Sequence, residues 1–288
     1  MSIESAQAQD VRHVFLDTTI IVERFFGTDR NRLNAISTWI PDGTYTMLCE
    51  FSRLEYKRVV MQNMSLALRY LCEEGLMSRA LIRANSIPRH SRKAQTLISI
   101  LAWVQNQLGQ ARIQIELDQN ADEILASRAI SYLRNALRSA WRRFSKSADS
   151  IVNKINCRRA LEVPVERPDH SYDLTVHQAA CRNKECSNAN FFREQGSMMM
   201  ALKRSLEGTP EKFMTAELKT ALKTIELALG SPHKLYDYNT CLGLSDVWVH
   251  LECAVAGMKN LLTTNYKESQ VLCPALGVRM LNANEPKP

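Results

Sequence analysis

The chain has 288 residues, enough for one large domain or two smaller ones, each with a real core. An apolar fraction of 45% with only 10 Gly and 9 Pro excludes a disordered chain and predicts an ordered, helix-rich protein. The 37 basic residues outnumber 30 acidic ones, for a net charge of +7 and a pI near 9.0. A surface of that sign favours polyanionic partners, nucleic acid first among them, although a merely soluble basic protein has the same balance.

The longest stretch without charge, residues 94–111, is interrupted by Gln, Asn, Ser and Thr, and its most apolar part is too short to span a bilayer. The N-terminus carries Glu4 and Asp10 and has no apolar segment of the secretory kind. The expectation is a cytoplasmic protein with no membrane association. Eight cysteines in such a chain point to free thiols or a metal site rather than a disulfide framework.

In chain order, the first predicted strand is residues 13–17, a short apolar run closed by Asp17. An amphipathic stretch, 20–26, follows it. In open α/β sheets the ligand crevice lies beyond the carboxyl ends of the strands, so an acid at that point projects into it. The alternative for Asp17 is to cap the helix that follows. Residues 44–49 form the second predicted strand. Just after it, Ser52 and Glu55 have the spacing of a capping box, which would place Glu55 in the first helical turn. Glu50 is a competing acid nearby.

The third predicted strand is residues 109–117, and a helix over 131–146 comes next. Arg134, Arg138, Arg142 and Lys146 recur along one side of that helix, opposite Leu133, Leu137 and Trp141. The basic side is either a solvated face or a strip that tracks a phosphate backbone. From about 145 to 231 the pattern gives no strand. This region holds His177, Cys181 and Cys186, which with Cys157 or His170 could build a tetrahedral zinc site; free thiols are the alternative. Met198 to Met200 fall on a helical stretch and read as packing, and His90, His233 and His250 read as isolated.

Asp246 opens a largely apolar helix over 245–256. Two more strands, 260–263 and 277–281, complete the chain, and the first runs into Thr263, Thr264 and Asn265. Strands alternating with helices predict an α/β fold: three layers, α/β/α, around a mostly parallel sheet of four or five strands. Residues 12–145 and 232–284 would form this core, with 146–231 as a helical, Cys/His-containing insertion.

Three acids at the mouth of a parallel sheet, Asp17, Glu55 and Asp246, form an oxygen-rich set suited to Mg²⁺ or Mn²⁺. Four segments in order resemble the motifs of PIN-domain nucleases. They are the apolar run ending in Asp17-Thr18-Thr19, Ser52-Arg53-Leu54-Glu55, Ser245-Asp246 heading an apolar helix, and Leu261-Leu262-Thr263-Thr264-Asn265. The resemblance implies that Asp17, Glu55 and Asp246 bind the metal and are catalytic, with Asn265 as a further ligand and Thr19 and Thr264 in support. It also implies hydrolysis of phosphodiester bonds, in RNA rather than DNA. Asn265 stands where many members of that family carry an acid. This keeps open a degenerate core that binds nucleic acid or protein, and a toxin whose partner is an antitoxin.

Overall fold

The computed structural model of the protein describes residues 12–27, 29–87, 92–110, 121–167, 172–173, 187–230 and 243–286. The chain divides into two compact units. The first is Met1–Leu54, Ser147–Glu162 and His177–Pro288, and the second is Glu55–Lys146 and Val163–Val176.

The first unit is the α/β part. Its strands are β1 (His13–Leu16), β2 (Tyr45–Cys49), β3 (Ser150–Val152), β6 (Asn260–Thr263) and β7 (Arg279–Asn282). They form one five-stranded sheet in the order β3-β2-β1-β6-β7, and every pairing is parallel. Val14, Phe15 and Leu16 are fully buried and all four residues of β6 are buried, as expected for a parallel sheet covered on both faces. The three-layer α/β expectation holds.

Chain order fixes where a ligand would bind. From β1 the chain moves outward through α1 (Thr18–Phe26) and α2 (Arg30–Trp39) to β2, and later to β3. It returns on the other side of β1 as β6, then runs through α13 (Tyr266–Ala275) to β7. The connections diverge between β1 and β6, and such a switch point opens a crevice at the carboxyl ends of the two strands. Asp17 follows β1 there, and its N–H donates to the Leu262 carbonyl of β6 at 3.0 Å.

The third strand corrects the sequence reading. Gly109 and Gln110 end helix α6 (Arg92–Gln110), and 111–117 lie outside the described residues. The sheet's third strand is β3, inside the stretch expected to hold none. Three residues are too few for an apolar pattern, and a side chain fixes them instead. Asp149 accepts from the Thr46 N–H at 2.7 Å and the Thr46 hydroxyl at 2.8 Å, clamping the start of β3 to β2. These bonds, the backbone one foremost, hold the Asp149 carboxyl below its ordinary range.

Four further helices pack into the first unit. The short α8 (Arg158–Leu161) gives Ala160 to its core. Helices α9 (Ser187–Glu194), α10 (Gly196–Glu207) and α11 (Ala216–Gly230) add Phe192, Met199, Leu202 and Ile225. Of the three methionines expected to pack, Met199 is buried and Met198 lies against the core, whereas Met200 is exposed. The core centres on Trp248 of α12 (Ser245–Val255), whose ring lies 4.6 Å from Phe51 and 6.0 Å, edge-on, from Phe192.

The second unit is mainly helical. A π-helical turn (Tyr56–Met61) leads into α4 (Gln62–Glu74), which packs with α5 (Met77–Asn85), α6 and α7 (Ala121–Ser145). Gly75, at a φ of 67°, ends α4 in the left-handed conformation that glycine adopts without strain. Tyr56 donates to the Ala140 carbonyl of α7 at 3.2 Å, and its ring meets Phe144 at 4.7 Å. Two short strands, β4 (Val165–Glu166) and β5 (Tyr172–Asp173), pair antiparallel. Among the described residues no helix is long and apolar enough to cross a membrane.

Candidate active site at the carboxyl end of the first strand

Asp17 occupies the N-cap position of α1, yet its side chain makes no capping bond. Asp29, at the same position of α2, shows what a capping carboxylate does: its Oδ1 accepts from the N–H groups of Asn31 and Arg32. The capping alternative for Asp17 therefore fails.

Two threonines orient Asp17 instead. The Thr263 hydroxyl donates to its Oδ2 at 2.6 Å, and the Thr19 hydroxyl donates to the same atom at 2.9 Å. Each hydroxyl in turn accepts a backbone N–H from the end of β6. Asn265 N–H reaches Thr263 Oγ1 at 2.8 Å, and Thr264 N–H reaches Thr19 Oγ1 at 3.3 Å. Both hydroxyl donors of this strap meet one carboxylate oxygen, and Oδ1 receives none of these bonds. The side chain is half-buried, so it is held in place without being sealed off.

Asp246 lies half-buried in the first turn of α12. One turn later His250 folds back, its Nδ1 2.6 Å from the Asp246 carbonyl and its Nε2 3.0 Å from Ser269 Oγ of α13. A carbonyl can only accept, so Nδ1 carries the proton, and in the neutral ring Nε2 accepts from the Ser269 hydroxyl. Burial holds the His250 pKa below its ordinary value, against the opposing pull of the Asp246 carbonyl and the Asp17 charge. The same Asp17 charge, after burial, helps push the Cys273 thiol up to about 12. Cys273 is a buried, protonated thiol rather than a nucleophile.

His250 is thus not isolated, as its sequence context suggested. Its place four residues after Asp246 was the signal to follow, because i and i+4 share a helix face. Nothing in the sequence marks Ser269. Thr263 is the strongest partner of Asp17, and the Thr263-Thr264 pair at a strand end was its trace.

The capping box at Ser52 does not form. Helix α3 (Glu50–Glu55) starts directly at the end of β2, so Ser52 is inside the helix and fully buried. Its hydroxyl accepts from Thr18 at 3.0 Å and lies 3.3 Å from the Cys49 sulfur. Glu55, half-buried, ends α3 and opens the second unit.

Arg138, Arg142 and Lys146 are exposed on or just beyond α7 of the second unit, with Leu133 and Leu137 buried on its other side. Arg134 differs, since it is half-buried and its Nε is enclosed without a partner. Of the zinc candidates, Cys157 is half-buried against the first unit's core, while His170, His177, Cys181 and Cys186 lie outside the described residues, as do His90 and His233. Among the described residues no group of three or more His, Cys, Asp or Glu is arranged to hold a metal ion. No family model, curated protein or solved structure matches the chain, so the likeness to PIN-domain nucleases rests on its four motifs alone.

Proposed function

We propose that the protein is a metal-dependent endonuclease acting on RNA, built around Asp17 at the switch point of the sheet. One observation carries this reading: Asp17 caps nothing, and two threonine hydroxyls turn it so that one oxygen is held and the other faces away from them. A half-buried carboxylate oriented in this way at the mouth of a switch point supports a ligand-binding role. Hard oxygen donors of this kind suit Mg²⁺ or Mn²⁺, with Asp17 and Asp246 as the acids of the first unit and Asn265 as a neutral third donor. When bound, such an ion polarises a phosphoryl oxygen and acidifies a water.

The chain's own part is positional. Thr19 and Thr263 keep Asp17 in one rotamer, and His250 braces the backbone at Asp246 through its carbonyl. Glu55 is the third acid of the motif likeness and takes its place in the second unit, so its contribution is assessed by its own variant. A second reading is a core that binds nucleic acid or protein without cleaving, which Asn265 in place of an acid favours.

An RNA cleavage assay with Mg²⁺ or Mn²⁺ separates the two. Asp17→Asn and Asp246→Asn are each expected to lower the rate by at least about a hundredfold, the scale of removing one preorganised electrostatic group. Equal rates in wild type and both variants would end the catalytic reading. RNA bound but left intact by the wild type would favour the scaffold.

A further inference from the structure

A second pair of acidic residues belongs to the same compact unit as Asp17. Glu50 is the first residue of α3, directly after β2, and Glu252 lies on α12, two residues past His250. Both are fully buried, at 0% exposure. The Asn156 N–H donates to Glu50 Oε2 at 2.9 Å, while Glu50 Oε1 and both oxygens of Glu252 have no hydrogen-bond partner. The Glu50 charge also opposes ionisation of Glu252.

Two ionised carboxylates offer only acceptors, and burying both charges costs far more than burying a neutral carboxyl beside one charge. Protonating one oxygen turns an acceptor into a donor and removes one of the charges. We propose that the folded protein keeps a proton on these buried acids, on Glu252 first, and that the neutral carboxyl lets α12 stay packed in the core of the first unit. Releasing the proton to solvent leaves two negative charges in the core and loosens that packing, so the pair is an alkaline-sensitive latch. The latch does not depend on the nuclease reading.

The groups acting on the pair are few. Burial is the main cause that pushes Glu50 up to about 7 and Glu252 up to about 8. For Glu50, the backbone N–H groups of Cys157 and Asn156, the Arg53 charge and the Ile155 backbone pull the other way. For Glu252, the Glu50 charge adds to burial, and Cys49, the Phe51 backbone and Trp248 oppose it. Arg53 is the one cation among these, too little to neutralise two carboxylates. A divalent cation is the rival occupant, although among the described residues no group of three or more His, Cys, Asp or Glu is arranged to hold one.

The direction of the pH effect follows. Both folded-state values stand above the unfolded value of 4.5, so between about 4.5 and about 8 the folded protein holds more protons than the unfolded chain. The stabilisation is complete below 4.5 and is lost as pH rises through about 7 and 8.

Thermal unfolding of the full chain from about pH 5 to about pH 9, with infrared detection of protonated carboxyl groups, tests the latch. The wild type should show a buried carboxyl C=O band near neutral pH that fades as pH rises, together with a falling Tm. Glu252→Gln should remove the band and shrink the fall in Tm, and Glu50→Gln/Glu252→Gln should flatten it. The proposal is overturned if the wild type shows no such band, or if the double variant keeps the full fall. A stoichiometric divalent cation that is released in Glu252→Gln would overturn it as well. If the variants do not fold, the wild-type band and its titration decide alone.

Discussion

Asp17 and Glu50 look alike in the sequence, each an acid directly after a strand of the same parallel sheet. The register that sets Phe15 beside Met47 brings the ends of these strands side by side. Yet the protein treats the two oppositely. Asp17 stays half-buried and receives two hydroxyl donors, each backed by a backbone N–H. Glu50 is fully buried, with the Asn156 N–H on its Oε2 and no hydrogen-bond partner on its Oε1, and its charge bears on Glu252. A carboxylate with oriented donors and an open side is equipped to hold a cation. One starved of donors is equipped to keep a proton.

The largest way to break this contrast is to open the cage around the Glu pair. Trp248 is fully buried and touches rings on two other helices. Trp248→Ala should cost about 3–5 kcal/mol, the range for deleting a large buried aromatic side chain. Water entering the cavity should also solvate Glu252, so the dependence of stability on pH should weaken in the same variant. Urea denaturation at two pH values measures both. A loss below about 1 kcal/mol would show that the core closes over the gap and that Trp248 is not its centre.

A smaller effect is expected on the Asp17 side. Thr263→Val keeps the shape, removes the donor to Oδ2 and leaves the Asn265 N–H without its acceptor. Stranding such groups costs about 1–3 kcal/mol. Thr19→Val should cost less, because Thr19 is half-buried and Thr263 is wholly buried. Equal losses in the two variants would mean that burial does not rank the two threonines. Cleavage by Thr263→Val at the wild-type rate would dissociate the strap from function.

Much of the sheet was legible because parallel strands buried on both faces must be short apolar runs, and residues 13–16, 45–49 and 260–263 are such runs. The edge strand β3 was hidden because Asp149, rather than an apolar pattern, holds it. Asp17 was readable as an acid closing an apolar run, and its threonines left a trace in two Thr-Thr pairs. The Glu50–Glu252 pair was not readable. Its members are far apart in the chain, and each by itself resembles an ordinary helical glutamate. A charge inside the apolar run of 247–255 was the faint signal, and only packing gives it a meaning.

The basic side of α7 gives the smallest expected effect on stability and a clean reference for both carboxylate sites. Arg138, Arg142 and Lys146 are exposed, and changes at such positions stay within about 0.5 kcal/mol of wild type. Replacing all three by Ala should therefore leave the unfolding curve nearly unmoved, in contrast with one deletion at Trp248 or Thr263. Arg134 is left intact in this variant because its enclosed Nε would bring in a structural cost. If the strip tracks RNA, the slope of log K against log salt should flatten by about 0.7 for each phosphate of a single strand that the variant no longer neutralises. An unchanged slope would return the strip to an ordinary solvated face. The Asp17 reading would survive that result, because the strip and the strap lie in different compact units and rest on separate observations.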